Sequence, residues 1–126
     1  MKLLLDTHAF LWAISSDSRL SSQAVAAFEE GELLLSAASV WEIVTKYQIG
    51  RLELPSPPSE FLPEHFERNA IGLLPILPRH VFRLERLPLQ HKDPFDRILV
   101  AQALEEGLAI LTNDPQIAAY GAPTVW

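Results

Sequence analysis

The chain of 126 residues contains no cysteine and only five glycines. Without cysteine it forms neither a disulfide framework nor a thiolate metal site, which is typical of a reducing compartment, and we therefore expect a cytoplasmic protein. The apolar run at its start, Leu3 to Leu5, is too short for a signal peptide or a membrane span, so we expect no membrane association. A glycine-rich phosphate loop is absent as well.

The sequence also lacks the signatures of zinc binding and of nucleophilic catalysis. Its four histidines show no HExxH pattern or other zinc spacing, which favours surface or packing roles for them. These histidines are His8, His65, His80 and His91. Ser36, Ser39 and Thr112 lie in no GxSxG motif and have no obvious histidine partner, so an activated hydroxyl nucleophile is not indicated.

Length and composition predict a single domain over residues 1–126. A chain of this size buries roughly two-thirds of the surface that its unfolded form exposes, which is enough for one core. The hydrophobic fraction of 48% and the charged fraction of 21% are ordinary for a globular protein. No internal repeat or low-complexity tract divides the chain.

Short apolar runs alternate with segments of helical periodicity along the whole chain. The predicted strands are 2–5, 32–35, 70–74 and 108–111, with a further edge strand at 122–126. The predicted helices are 7–14, 23–30, one from a Ser36 or Ser39 N-cap to about 49, 60–69, 78–84, 95–106 and a short one after Asp114. Residues 54–63, with four prolines, are predicted as a loop leading into the fourth helix. This order predicts an α/β fold of three layers, α/β/α, around a parallel sheet of four to five strands.

Four acidic residues lie where an apolar run ends or gives way to a helix. Asp6 follows Leu5, Glu42 lies within SAASVWEI, Asp96 within DPFDRILVAQA, and Asp114 follows AILTN. The carboxyl ends of parallel strands face the crevice in which such sheets bind ligands, so we expect these side chains to meet there. Crowded carboxylates repel one another and usually hold a cation, and oxygen ligands alone indicate Mg²⁺ or Mn²⁺.

Each of these acids also has an ordinary structural interpretation. Asp6 is placed to be the N-cap of the next helix, and Glu42 on its own would be a solvated helix residue. Asp93 and Asp96 are three residues apart at a helix start, where either would complement the helix dipole. Because Asp93 directly precedes Pro94, we predict a cap or supporting role for Asp93 and a ligand role for Asp96.

The net charge of −6 does not exclude a nucleic-acid partner. Setting aside the four acids and Asp93 leaves eleven acidic residues against ten lysines and arginines. Lys46, Arg51, Lys92 and Arg97 flank the acidic segments and are candidates for binding phosphates. The alternative is that they are scattered basic residues of a solvated surface.

Three stretches of the sequence resemble the PIN-domain family, and within it the VapC-type toxins. They are LLLDTHAFLWA at the start, SAASVWEIVTKYQIGRL in the middle and HKDPFDRILVAQALEEGLAILTND near the end. The resemblance implies an α/β/α fold and an endoribonuclease that depends on Mg²⁺ or Mn²⁺. It also implies the toxin of a bacterial or archaeal toxin-antitoxin pair, usually a homodimer, blocked by a cognate antitoxin whose C-terminal segment lies in or beside the active-site groove.

The resemblance carries over residue by residue at the proposed site. Asp6, Glu42, Asp96 and Asp114 match the four acids of the family, and these are the predicted catalytic and metal-binding residues. Thr112 resembles the hydroxyl that orders the fourth acid, and Asp93 falls in the DPFD variant of the motif. The expected reaction is hydrolysis of single-stranded or loop RNA by an activated water. The alternatives are a DNA-directed or structure-specific nuclease, and a non-catalytic binding protein in which the acids are caps.

Overall fold

The structure, a computed structural model, describes residues 1–126. Its five strands form one sheet in the order β3-β2-β1-β4-β5, and every neighbouring pair is parallel. The strands are β1 (Lys2–Leu5), β2 (Glu32–Ser36), β3 (Gly72–Leu74), β4 (Ala109–Leu111) and β5 (Thr124–Val125). The predicted α/β class and the parallel sheet are therefore confirmed.

Seven α-helices and one 3₁₀ turn connect these strands. They are α1 (Thr7–Ile14), α2 (Ser22–Glu30), α3 (Ala37–Gln48), α4 (Pro58–Arg68), α5 (Pro78–Arg83) with the 3₁₀ turn Leu84–Arg86, α6 (Pro94–Glu106) and α7 (Pro115–Ala118). Of the two predicted caps for α3 it is Ser36 that serves, since its hydroxyl accepts a hydrogen bond from the N–H of Ala38 at 3.0 Å. None of the helices combines the length and apolar composition needed to cross a membrane.

Several element boundaries differ from the prediction, among them the edge strand, which is limited to Thr124–Val125, and two of the differences have identifiable reasons. The fourth helix begins at Pro58, inside the segment predicted as a loop, because a proline in the first turn has no N–H whose bond the helix would lose. The third strand begins at Gly72 instead of Ala70. Ala70 has a φ of 52°, in the left-handed region, which is incompatible with an extended strand.

Side chains of β1 point alternately to the two faces of the sheet, and this alternation builds the layers. Leu4 belongs to a core cluster with Leu99 and Ile110, on the face covered by α6. Leu3 and Leu5 belong to a second cluster that includes Phe10 of α1. The remaining fully buried members of the second cluster come mainly from α2, β2 and α3. The sheet thus has a core on each face, as a three-layer fold requires.

The strand order places a topological switch at the middle of the sheet. From the central strand β1 the chain goes to β2 on one side and later returns to β4 on the other side. In open parallel sheets such a reversal leaves a crevice at the carboxyl ends of the strands, since the flanking helices diverge there. Helix α3, which follows β2, and helix α6, which precedes β4, contact each other. Both helices therefore bring their side chains to this region.

Candidate active site

Asp6 directly follows β1 and is buried, with 4% of its surface exposed. It occupies the N-cap position of α1, but its side chain makes no capping hydrogen bond. Its Oδ2 atom instead accepts a hydrogen bond of 2.8 Å from the hydroxyl of Thr112, which follows β4. The interpretation of Asp6 as a helix cap therefore does not apply, and its carboxylate is directed toward the neighbouring strand.

Thr112 also connects Asp6 with Asp114. Its Oγ1 atom accepts the backbone N–H of Asp114 at 3.0 Å while its hydroxyl proton is donated to Asp6. Asp114 caps α7, because its Oδ1 atom accepts the N–H of Gln116 at 2.9 Å. One oxygen of Asp114 is thus used by the helix. The two acids that follow β1 and β4 are brought together by this single hydroxyl.

Glu42 reaches the same region from α3 and is 2% exposed. Its Oε2 atom forms an ion pair of 2.6 Å with the ammonium of Lys46, one helical turn away. Its Oε1 atom is buried and has no hydrogen-bond partner. A hydrogen bond of 2.8 Å from Thr7 to Ser39 ties α1 to α3 next to both Asp6 and Glu42. Glu42 therefore has one neutralised oxygen and one oxygen without any partner.

Asp96 lies in the first turn of α6, and its Oδ2 atom is 2.8 Å from Nε2 of His91. Asp93 is the N-cap of this helix, as the sequence predicts, since its Oδ1 atom accepts the N–H groups of Phe95 and Asp96 at 2.9 and 3.3 Å. His91, Asp93 and Asp96 offer ligand atoms that all lie within 4.8 Å of one another. A histidine therefore borders the carboxylates at this corner of the site.

The acids influence one another electrostatically. Burial raises the pKa of the Asp6 carboxyl; the hydrogen bond from Thr112 and the charge of His8 oppose that rise, and the charges of Asp114 and Glu42 add to it. Burial likewise raises the pKa of Asp96 to about 6, opposed by the hydrogen bond with His91 and strengthened by Asp93, Asp6 and Glu42. The four predicted acids consequently share one local field, although they come from four separate segments.

This arrangement fits a hard divalent cation. Leaving a buried carboxylate oxygen without a partner costs free energy, and such atoms are rare in native proteins. Oε1 of Glu42 is in that condition, and Asp6 and Asp96 each have one carboxylate oxygen that accepts no hydrogen bond within the protein. Oxygen ligands of this kind are those that Mg²⁺ and Mn²⁺ prefer. A cation would give these oxygens a partner and would relieve the mutual repulsion of the acids.

The four basic residues predicted to bind phosphates differ in whether their charged groups are already paired within the protein. Arg51 is exposed and lines a groove of about 780 Å³ between α1, the loop 51–55 and α4, a groove that also contains Thr7. Lys92 is exposed beside the first turn of α6. Lys46 lines the same groove, but its ammonium is paired with Glu42. Of the four candidates, Arg51 and Lys92 are therefore the two that are exposed and have no ion-pair partner.

The prediction that Arg97 contributes to phosphate binding is not supported by its contacts. Its Nη1 atom donates hydrogen bonds to the carbonyl of Pro88 at 2.7 Å and to the hydroxyl of Tyr120 at 3.0 Å. Its Nη2 atom lies 3.5 Å from the carbonyl of Leu84. The guanidinium is therefore used to hold the loop that precedes α6.

Sequence reasoning missed two features next to the acids. His91 was interpreted as a surface or packing residue, yet its ring contacts Asp96. Trp41, adjacent to Glu42, is 63% exposed and packs edge to face against Phe95 with ring centroids 5.0 Å apart. The only signal for either was proximity in the sequence to a predicted ligand.

Comparisons with known proteins agree with this geometry. The family described as PIN domain matches residues 3–123. The chain is similar to Ribonuclease VapC22 of Mycobacterium tuberculosis, with 30% identity over 130 residues that cover 98% of each protein. It is also similar to Ribonuclease VapC16 of the same organism, with 30% identity over 73 residues, which are 58% of this chain and 50% of that protein.

A solved structure shows the same fold at low sequence identity. The crystal structure of VapBC2 from Rickettsia felis, bound to a DNA fragment from its promoter, contains a chain that superposes with a TM-score of 0.71. The match covers 100% of both chains at 12% identity, so it bears on the fold alone. Together with the family match over nearly the whole chain and the full-length relative, it confirms the resemblance seen in the sequence. The chain belongs to the PIN-domain family.

Proposed function

We propose that this protein is an endoribonuclease that depends on Mg²⁺ or Mn²⁺, and that it is the toxin of a toxin-antitoxin pair. The observation that carries the proposal is the buried, unpartnered Oε1 atom of Glu42 among three further carboxylates. In a non-catalytic protein in which the acids were only caps, the free-energy cost of this unpartnered oxygen would have no compensation. Asp6, which makes no capping bond, supports the same conclusion.

Asp6, Glu42, Asp96 and Asp114 are the residues that would hold the cation. A bound Mg²⁺ or Mn²⁺ would supply electrophilic polarisation of a phosphodiester and activation of the attacking water. The chain's own contribution is orientation. The hydroxyl of Thr112 fixes Oδ2 of Asp6, and the ammonium of Lys46 fixes Oε2 of Glu42. In-line attack by such a water would leave a 5′-phosphate and a 3′-hydroxyl, as the family resemblance implies.

The groove next to Thr7 supports a nucleic-acid substrate. Arg51 lines it, and the exposed Lys92 directly precedes Asp93 at the start of α6, so both cations would attract a phosphodiester backbone. We propose single-stranded or loop RNA, because its unstacked bases can enter a crevice. Two relatives are named ribonucleases, which supports RNA over DNA.

A partner for the toxin role is proposed from the relatives. The R. felis structure with a similar fold is a VapBC complex, which supports a cognate antitoxin for this chain. A further contact with a second copy, as in the homodimers that the family resemblance implies, would cover some of the exposed apolar residues. These include Trp41 at 63%, Phe82 at 66% and Leu89 at 89% exposure. Because its substrate would be cellular RNA, we place the protein in the cytoplasm.

The decisive experiment compares wild type with Asp6→Asn on labelled single-stranded RNA, with Mg²⁺, with Mn²⁺ and with EDTA. We expect cleavage by wild type only with metal, and a loss of at least about a hundredfold in Asp6→Asn. Glu29→Gln, which removes an exposed acid of α2, is the matched control and retains full activity. Single-stranded and duplex DNA of the same sequence test the nuclease alternatives. Equal cleavage by Asp6→Asn and wild type would refute the assignment.

The toxin role has its own test in cells. Induced expression of wild type in a bacterial host should arrest growth, while Asp96→Asn at the same protein level should not. Equal growth of the two strains would contradict the role of toxin and leave the nuclease assignment standing.

A further inference from the structure

A series of hydrogen bonds behind Asp96 links α6, the loop 88–92 and the segment after α7. Arg97 donates to the carbonyl of Pro88 and to the hydroxyl of Tyr120. The same Tyr120 oxygen accepts the backbone N–H of His91 at 3.2 Å. The ring of His91 then reaches Asp96, with Nε2 2.8 Å from Oδ2. The series of hydrogen bonds therefore begins at Arg97 and ends at Asp96, which are neighbours on α6.

We propose that His91 is a positioning residue for Asp96, held in place by Tyr120 and Arg97, and that it sets the direction of the other Asp96 oxygen toward the cation. The inference rests on the proposed function and adds a residue to its machinery. Carboxylates that bind metals are themselves held by hydrogen bonds, and loss of such a partner weakens metal binding or activity.

The contacts of the His91 side chain favour this role over a simple packing role. Its hydrogen bond to Asp96 is the only one that the ring makes. Because an ionised carboxylate only accepts, the bond requires the proton on Nε2. Both side chains are largely buried, at 13% and 14% exposure, so water competes little for the bond.

The loop that carries His91 has no regular structure and depends on its anchors. Residues 88–92 lie between the 3₁₀ turn and α6. Arg97 binds the loop at its start, through the carbonyl of Pro88, and Tyr120 binds it at both backbone groups of His91. Without these contacts the imidazole would have no fixed position relative to Asp96.

The same short helix connects this arrangement with the fourth acid. Asp114 is the N-cap of α7, and Tyr120 lies two residues beyond its last residue, Ala118. A helix of four residues thus carries a proposed ligand at its start and the anchor of His91 just past its end. The hydroxyl of Thr112 holds Asp6 by a hydrogen bond, and a ring nitrogen of His91 holds Asp96 by another.

The test measures Mn²⁺ binding by calorimetry without RNA, together with RNA cleavage, for wild type, His91→Leu and His91→Gln. We expect Mn²⁺ affinity to fall about tenfold in His91→Leu, and cleavage to require correspondingly more metal. His91→Gln should stay within about threefold of wild type, because its amide N–H replaces the Nε2 donor. A purely structural role of the ring would not be rescued in this way.

Tyr120→Phe removes a single oxygen and tests the anchor. We expect a Mn²⁺ affinity about threefold weaker than wild type, and a double variant with His91→Leu no weaker than His91→Leu alone, because the two residues act in series. If His91→Leu does not fold, Tyr120→Phe decides the question, and unchanged Mn²⁺ affinity in it overturns the inference.

The outcomes separate this inference from the proposed function. Equal Mn²⁺ affinity of wild type and folded His91→Leu overturns the inference and leaves the nuclease assignment intact. Equal impairment of His91→Gln and His91→Leu overturns the role of the N–H donor. Mn²⁺ binding by wild type without any RNA cleavage overturns the nuclease assignment alone, and absence of Mn²⁺ binding overturns both.

Discussion

In the absence of metal, the variant Asp96→Asn should be more stable than wild type. In the presence of metal, it should be less stable than wild type. Folding places the Asp96 carboxyl where burial and three neighbouring acids raise its pKa from 3.8 to about 6. At neutral pH the Asp96 carboxyl is ionised in both the folded and the unfolded state, but the charge is unfavourable only in the folded state. Asparagine has nearly the same shape and no charge, and its carbonyl oxygen still accepts the hydrogen bond of His91.

The size of the effect follows from the pKa of Asp96. A rise of roughly two pH units in a pKa corresponds to about 3 kcal/mol in the free energy of unfolding. Relaxation of the folded protein around the buried charge makes the cost smaller than this, so we expect about 1–2 kcal/mol. For a domain of this length the midpoint of thermal unfolding should rise by about 3–8 °C in Asp96→Asn, in EDTA at pH 7.5.

The raised pKa of Asp96 also fixes the direction in which the stability of wild type changes with pH. A carboxyl with a raised pKa in the folded state destabilises the protein above its unfolded pKa, so wild type loses stability as the pH rises from about 4 to about 6. The advantage of Asp96→Asn should therefore shrink to roughly half at pH 5. Above pH 7 it should be constant.

Added metal should reverse the order of the thermal midpoints of wild type and Asp96→Asn. At 100 times its dissociation constant, a cation that binds only the folded state adds about 2.7 kcal/mol. Wild type should receive this stabilisation and Asp96→Asn much less, so their thermal midpoints cross as Mg²⁺ is added. Glu29→Gln should follow wild type throughout, since this exposed acid lies on α2. A midpoint of Asp96→Asn below that of wild type in EDTA would refute the reasoning about repulsion.

Three further substitutions test single contacts by urea unfolding. Thr112→Val removes the donor to Asp6 and should cost about 1–3 kcal/mol, together with most of the RNA cleavage; unchanged stability would show that this hydroxyl is dispensable. Asp93→Ala should cost about 1 kcal/mol through the lost N-cap of α6, whereas Asp93→Asn should cost a few tenths, and equal losses would contradict the capping role. Lys46→Met leaves Glu42 without its counter-charge and should lower the free energy of unfolding by about 1–2 kcal/mol in EDTA. Mg²⁺ should recover part of this stability, because the cation would supply a new counter-charge. A loss of the same size with and without Mg²⁺ would show that Glu42 is not part of the cation site.

The order of the elements and the location of the acids were accessible from the sequence for physical reasons. Buried parallel strands are apolar throughout, so Leu3 to Leu5 and Ala109 to Leu111 stand out from the amphipathic helices around them. Because parallel strands end at a common edge, residues directly after the strands are expected at that edge, and the pairing of β1 with β4 brings Asp6 and Asp114 together there. The common edge followed from the sequence, whereas the adjacency of β1 and β4 came only with the strand order.

Contacts that depend on irregular backbone were not accessible in this way. Ala70 adopts a left-handed conformation that shortens β3, and nothing in its residue type announces it. His91 meets Asp96 only because the loop 88–92 turns back, and Arg97 is drawn away from solvent by Tyr120, 23 residues later. The pair of Glu42 and Lys46 is different, since its spacing of four residues on a helix was a usable signal for a mutual contact.

The bond between Thr112 and Asp6 joins residues 106 positions apart in the chain. During synthesis Asp6 is made long before its partner, and β1 cannot pair with β4 until β4 itself has been translated. A ribosome that stops before β4 produces a fragment with three of the four acids but without Thr112 and Asp114. The proposed site is thus incomplete until the segment that follows β4 has been translated.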